Sequence, residues 1–319
     1  AQGLAMSDTV TAFAPASIGN VGVGFDMLGL ALGGGAGDTV IATRSDTTGI
    51  SIEEVRGLDG EIHPYLSTDA LENTASIAAQ SLWDAAGAPG GASLKVHKGV
   101  PLQSGMGSSA ASAVAAVVAV NALLDEPLGT AELLPHALAG EQYASGGLHA
   151  DNVAPSLLGG LVLCPTVLLP DVVRLPVPKG VSAVLVHPEL QVNTAHARRG
   201  LAKGYSMEQW LQQQGYLAGF IAACMAGDVE LIGRTLRDVV IEPQRAAAVP
   251  CFEGVKEAAI RGGALGCSLS GSGPSIFALC EERKALNLAS AMEQACLVLG
   301  IECQSWVSPL DAQGARLET

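Results

Sequence analysis

Positive charge is what this chain has least of: 17 Lys and Arg stand against 31 Asp and Glu, for a formal net charge of −14. A nucleic-acid binder needs a basic stripe, and none is present. Any anionic substrate must therefore be held locally, by dipoles, a metal ion and a few arginines. Aromatic residues make up 4%. Long apolar runs are missing too: around the main helix the longest stretch free of polar residues, Gly and Pro is Ala113–Val120. A membrane span needs about 20 such residues, so no membrane partner is expected. No charged segment leads into an apolar one near the start, and the residues before Met6 stay unassigned. The dipeptide Gly-Lys never occurs, which excludes a Walker P-loop. The seven cysteines are odd in number, lie at or beyond Cys164 and form no C-x-x-C pair. That excludes a disulfide scaffold or zinc ribbon and points to a reducing cytoplasm.

What is present is Ala, Gly and Val, with 49% hydrophobic residues, the composition of a tightly packed enzyme mixing helix and strand. Strands are predicted at Thr9–Phe13, Thr39–Thr43, Ser93–Val96, Val181–His187 and Ser275–Cys280. Helices are predicted at Asn73–Trp83, Ala110–Leu124, Glu132–Ala144, Met207–Met225, Val229–Val240, Phe252–Arg261 and Arg283–Leu299. The Pro-rich stretch Leu169–Lys179 reads as a linker. The boundary falls between about 155 and 180, dividing the chain into residues 1–165 and 166–319.

The most informative segment is Pro101-Leu102-Gln103-Ser104-Gly105-Met106-Gly107-Ser108-Ser109-Ala110-Ala111, which runs into an Ala/Val helix. Helix-start N–H groups lack intrahelical partners and sit at the positive end of the macrodipole, so they suit phosphate. An ordinary Ser N-cap would use the same residues. Gly105–Ala110 also matches G-x-G-x-x-A, with Asp125 at the distance of a ribose-binding acid, but Pro101–Ser104 intervenes and Asp125 falls in a turn. A nicotinamide-dependent dehydrogenase is therefore the weaker reading. Two more Gly/Ser loops, Ala14–Asp26 and Ser270–Ser275, favour a phosphate site assembled from three loops.

In this order the three loops resemble the signature set of the GHMP small-molecule kinases. Within that family, Pro15-Ala16-Ser17…Asn20…Gly24-Phe25-Asp26, His149–Pro155, Leu158–Gly160, Thr194–Arg198 and Ile241–Arg245 resemble the homoserine kinase branch. Gly19, Val21 and Met106 depart from the usual Ala, Leu and Leu, and remove no functional group. The resemblance implies an α+β two-domain GHMP kinase fold, with a ribosomal protein S5 domain 2-like N-terminal domain and a ferredoxin-like C-terminal domain. It implies ATP on Pro101, Leu102, Ser104, Gly105, Met106, Gly107, Ser108 and Ser109, and Mg²⁺ on Ser109 and Glu141. L-homoserine would meet Arg198 and Arg245 through its carboxylate and Asp26, helped by Asn20, through its ammonium. His149, Asp151, Thr194, Gly271 and Gly273 would line or shape that pocket. Asn152, where mevalonate kinases have Asp, would orient the hydroxyl without taking its proton. Phosphorylated homoserine precedes threonine synthase in threonine biosynthesis, and family members are often homodimers. A mevalonate-type sister kinase and a non-catalytic relative remain the nearest alternatives.

Overall fold

The computed structural model describes residues 8–319, so the segment before Met6 lies outside it. The chain runs β1 (Thr9–Pro15), β2 (Ser17–Gly19), β3 (Leu28–Ala31), β4 (Gly37–Ser45), β5 (Gly49–Arg56), α1 (Thr74–Ala85), β6 (Gly91–His97), α2 (Ser108–Asn121), α3 (Leu134–Ser145), α4 (Val153–Leu158) and β7 (Leu161–Leu163). It continues through β8 (Val173–Leu175), β9 (Val181–Pro188), α5 (Thr194–Arg199), α6 (Met207–Ala226), α7 (Val229–Thr235), α8 (Glu242–Arg245), α9 (Phe252–Arg261), β10 (Gly266–Leu269), β11 (Ile276–Glu281), α10 (Ala285–Leu297), β12 (Cys303–Pro309) and β13 (Arg316–Glu318).

The first layer is a five-stranded sheet in the order β13-β1-β4-β6-β5, antiparallel except for the β5/β6 pair joined through α1. Helix α2 is apolar nearly all round and packs against α1, α3 and the sheet, its alanines permitting close approach. In the second sheet, β10-β11-β9-β12, the first three strands are buried on both faces and β12 forms a half-exposed edge. Along β9, Ala183 and Leu185 face a core shared with α6 and α7, while Val184 and Val186 face α9 and α10. That alternation follows from the two-residue period of a strand. A third sheet, β2-β3-β7-β8, links the two halves.

Several expectations shift. The predicted linker holds β8, which pairs with β7 across residue 165, and the last strand returns to the first sheet beside β1. The helix predicted over Val229–Val240 stops at Thr235. Beyond it Asp238 accepts the N–H groups of Val240, Ile241 and Glu242, holding the turn that leads into α8. The Leu269–Ser275 loop is a hairpin connection between β10 and β11, and it also packs on the glycine-rich loop that precedes α2. Among the described residues no helix is long and apolar enough to cross a membrane.

Candidate active site

Helix α2 begins without a serine cap. Its N-cap is Gly107 at φ 69°, with no side-chain capping bond. Ala111 N–H is the first to reach a helical carbonyl, Gly107 O at 2.9 Å, so the preceding amides face outward. The serine hydroxyls are used elsewhere: Ser108 Oγ donates to Val100 O at 2.9 Å, Ser104 Oγ accepts from Met106 N–H at 3.2 Å, and Ser109 Oγ donates to Glu141 at 2.7 Å. The Met106 side chain is buried in the core, leaving only its backbone toward the loop. Gly105, at φ 76°, has no room for a Cβ, which would fall against Ser270 O of the third loop. Ser270 Oγ in turn donates to Gly105 O at 2.6 Å.

Beneath this loop lies a buried polar cluster. Lys98 Nζ donates to Asp38, to Ser108 O at 2.8 Å and to Ser112 Oγ at 2.8 Å. Asp38 Oδ1 accepts the N–H groups of Gly99 and Val100 at 2.8 and 3.1 Å. One ion pair thus holds both ends of the loop that precedes α2. Beside it opens a cleft of about 870 Å³, bordered by Leu58, Tyr65, Lys98, Pro101, Leu102 and His187. Burial pushes His187 down to about 4, so it stands neutral there, with Nδ1 3.1 Å from Ser275 Oγ.

On the other side of the loop a small cleft of about 60 Å³ gathers Asn20, Asp26, Glu141, His149, Asp151, Asn152, Thr194, Arg198, Arg245 and Gly271. Two loop residues reach it through strained backbone: Asn20 and Asp26 have φ of 67° and 57°. Asn20 Oδ1 accepts Asp26 N–H at 2.9 Å, fixing the carboxylate, and Arg198 grips that carboxylate with both fork nitrogens at 2.7 and 2.8 Å. Arg245, 5% exposed, donates to Gly271 O at 3.2 Å and leaves Nε without a partner. Burial, and then the neighbouring Arg198 charge, pull its pKa down. His149 Nδ1 stands 3.5 Å from Asp26 without a hydrogen bond, and burial lowers its pKa despite that carboxylate.

Two carboxyls in the cleft are held well above their ordinary range. Burial pushes Asp151 up to about 7, with the Asp26 charge adding to it. Burial likewise pushes Glu141 up to about 7 against the Ser109 hydrogen bond. A buried carboxyl that accepts from a hydroxyl is a fitting oxygen donor for Mg²⁺, a hard cation that takes only one or two protein ligands. Asn152 Oδ1 accepts from Ser17 Oγ at 2.9 Å. A Cβ on Gly107 would come within 3.1 Å of Asn152, so the amide abuts the start of α2.

The chain matches the GHMP kinases N-terminal domain over residues 73–160 and the GHMP kinases C-terminal domain over residues 220–297. It is 46% identical over 307 residues to a homoserine kinase of Xanthomonas campestris, covering 96% of this chain and 93% of that one. The chain belongs to the homoserine kinase family. A Chlorobium phaeobacteroides homoserine kinase is 40% identical, with 97% of this chain and 99% of that one covered. The crystal structure of homoserine kinase from Cytophaga hutchinsonii superposes with a TM-score of 0.93 at 41% identity, covering 99% of both chains.

Set against this homoserine kinase fold, the predicted residues fall into two groups around the start of α2. Pro101 and Leu102 border the large cleft, Ser104–Ser109 form the loop, and the remaining residues line the small cleft, except Gly273. Gly273 sits one turn back, packed near Val249 and Leu269. Asp26 and Arg198, expected to meet the substrate's ammonium and carboxylate, are paired with each other. Gly19, a departure from the family's Ala, leaves room for Asp151 and Asn152, since a Cβ would come within 2.9–3.0 Å of both side chains. Sequence reasoning overlooked Asp38, Lys98, Ser112 and Asp238. The signal was there for two of them: Asp38 and Lys98 are charges at the ends of apolar strands in a chain with few charges.

Proposed function

We propose that the chain transfers the γ-phosphoryl group of Mg²⁺-ATP to the side-chain hydroxyl of L-homoserine, giving O-phospho-L-homoserine and ADP. The observation that carries this reading is the contact between the two sites. The small cleft sets two guanidiniums beside the Asp26 carboxylate, with Glu141 and Asp151 also in its lining, matching a zwitterionic amino acid, and its Asn152 touches the N-cap of the anion-binding helix. The ATP base and ribose occupy the large cleft, and the outward amides of Gly107–Ala110 hold the triphosphate. Ser109 and Glu141 hold the metal. Bound Mg²⁺ neutralises charge on the phosphate oxygens. Homoserine's ammonium goes to Asp26 and its carboxylate to the guanidiniums of Arg198 and Arg245, which bind carboxylates by their planar forks.

Asn152 carries no basic group. With Oδ1 taken by Ser17, its N–H group remains to orient the acceptor hydroxyl. In a loose transition state the nucleophile keeps its proton until late and passes it to the transferring phosphoryl oxygen. Asp151 is the specific alternative as base, because a cleft carboxyl near 7 is poised for proton transfer. The place in threonine biosynthesis and the cytoplasmic setting rest on the family, and the free cysteines agree with a reducing compartment.

The test is a coupled ADP-release assay with homoserine, mevalonate and a methylerythritol derivative as acceptors. Turnover with homoserine alone is expected, and turnover confined to either other alcohol would overturn the assignment. Asn152→Asp should raise the rate and add a carboxylate limb to the pH profile. A steep acid limb already present in the native enzyme and lost in Asp151→Asn would instead make Asp151 the base.

A further inference from the structure

The two guanidiniums of the small cleft share one aromatic ring. Arg198 Cζ lies 5.3 Å and Arg245 Cζ 5.2 Å from the centroid of Phe25, within reach of a cation–π contact. The arginines come from distant parts of the chain, α5 and α8, while Phe25 sits on the first loop beside Asp26. Their counter-charges are unequal. Arg198 has both carboxylate oxygens of Asp26, whereas Arg245 is buried with one carbonyl partner and an unpartnered Nε.

A second carboxylate beside Arg245 would settle its charge but would also occupy the N–H donors that a substrate carboxylate needs. An aromatic face does otherwise. Its negative quadrupole attracts the cation and accepts none of the in-plane hydrogen bonds. We infer that Phe25 is a positioning residue: its ring holds the guanidiniums of Arg198 and Arg245 close together, Arg198 on Asp26 and Arg245 with its Nε–H free for a carboxylate. The inference rests on the homoserine reading above and accounts for an aromatic side chain, half-buried against two arginines of the cleft, that the chemistry itself does not use. It also adds to the carboxylates of Asp26, Asp238 and Asp151 in offsetting two like charges held side by side.

The experiment replaces Phe25 with mono-, di- and trifluorophenylalanine, which keep the ring's shape and progressively weaken its quadrupole, alongside Phe25→Tyr and Phe25→Leu. The homoserine KM should climb stepwise with fluorination and reach roughly tenfold in Phe25→Leu. Phe25→Tyr should restore it to near the native value, with kcat and the ATP KM holding within about twofold throughout. A homoserine KM that stays flat across the fluorinated series, in an enzyme that phosphorylates homoserine, overturns the role. If the native protein releases no ADP with homoserine, the functional reading fails instead. Phe25 is then judged by side-chain Nε–H exchange in labelled, substrate-free protein: exchange at Arg245 that quickens with fluorination supports the role, and an unchanged rate refutes it.

Discussion

Asp151→Asn should make the substrate-free enzyme more stable, by an amount that grows as pH rises from about 4 and levels off above about 7. In the folded protein burial holds the Asp151 carboxyl up to about 7, against an ordinary value of 3.8. Between those two values the native state binds more protons than the unfolded chain, so stability falls as pH rises through about 7. At about 1.4 kcal/mol per pH unit the gap corresponds to roughly 4 kcal/mol. Part of it is shared with Glu141 through their mutual repulsion, so about 2–3 kcal/mol is the expected gain of the variant. The amide keeps an oxygen for the backbone N–H groups of Asp151 and Asn20, so the substitution removes the charge without orphaning those donors. Urea unfolding of both proteins at pH 5 and pH 8.5, without nucleotide or metal, reads the difference. A midpoint for Asp151→Asn that is higher at both pH values is expected, by roughly a third as much at pH 5 as at pH 8.5. A gain of the same size at both pH values would show that packing, not the buried charge, is responsible, and a loss at pH 8.5 would refute the argument outright.

Arg198→Ala should raise the homoserine KM and leave nucleotide affinity nearly unchanged, since the residue touches Asp26 and the small cleft only; a matching rise in the ATP KM would contradict this. Asp38→Asn strips the carboxylate from the buried Lys98 cluster and should cost about 3 kcal/mol of stability while raising the ATP KM more than the homoserine KM, checked by thermal unfolding and steady-state kinetics. Gly105→Ala pushes a Cβ into Ser270 O at a positive φ, so about 2–3 kcal/mol of destabilisation and weakened ATP binding are expected, read by calorimetry with a nonhydrolysable analogue.

Much of the homoserine kinase was legible in its residues because the informative signals are local. Helix α2 was readable from its alanines, α9 from its periodicity, and the phosphate loop from glycines that a helix start requires. Asp238 shows where such reading fails: the apolar pattern of Val229–Val240 predicts one helix, yet it stops at Thr235 and a side chain accepting three amides holds the turn beyond it. Strand β2 was hidden inside a glycine-rich loop because three residues carry no period.

Residue types and their order were enough to determine that an anion-binding helix start, an acid and two arginines belong to one kinase. Only the tertiary structure decided which charges meet: that Asp26 is already held by Arg198, that Lys98 and Asp38 lock the loop from below, and that Phe25 serves both arginines. The reason is physical. Periodicity and capping act over a few neighbouring residues, whereas electrostatic partners and burial are set by distances between segments 60 to 172 positions apart in the chain.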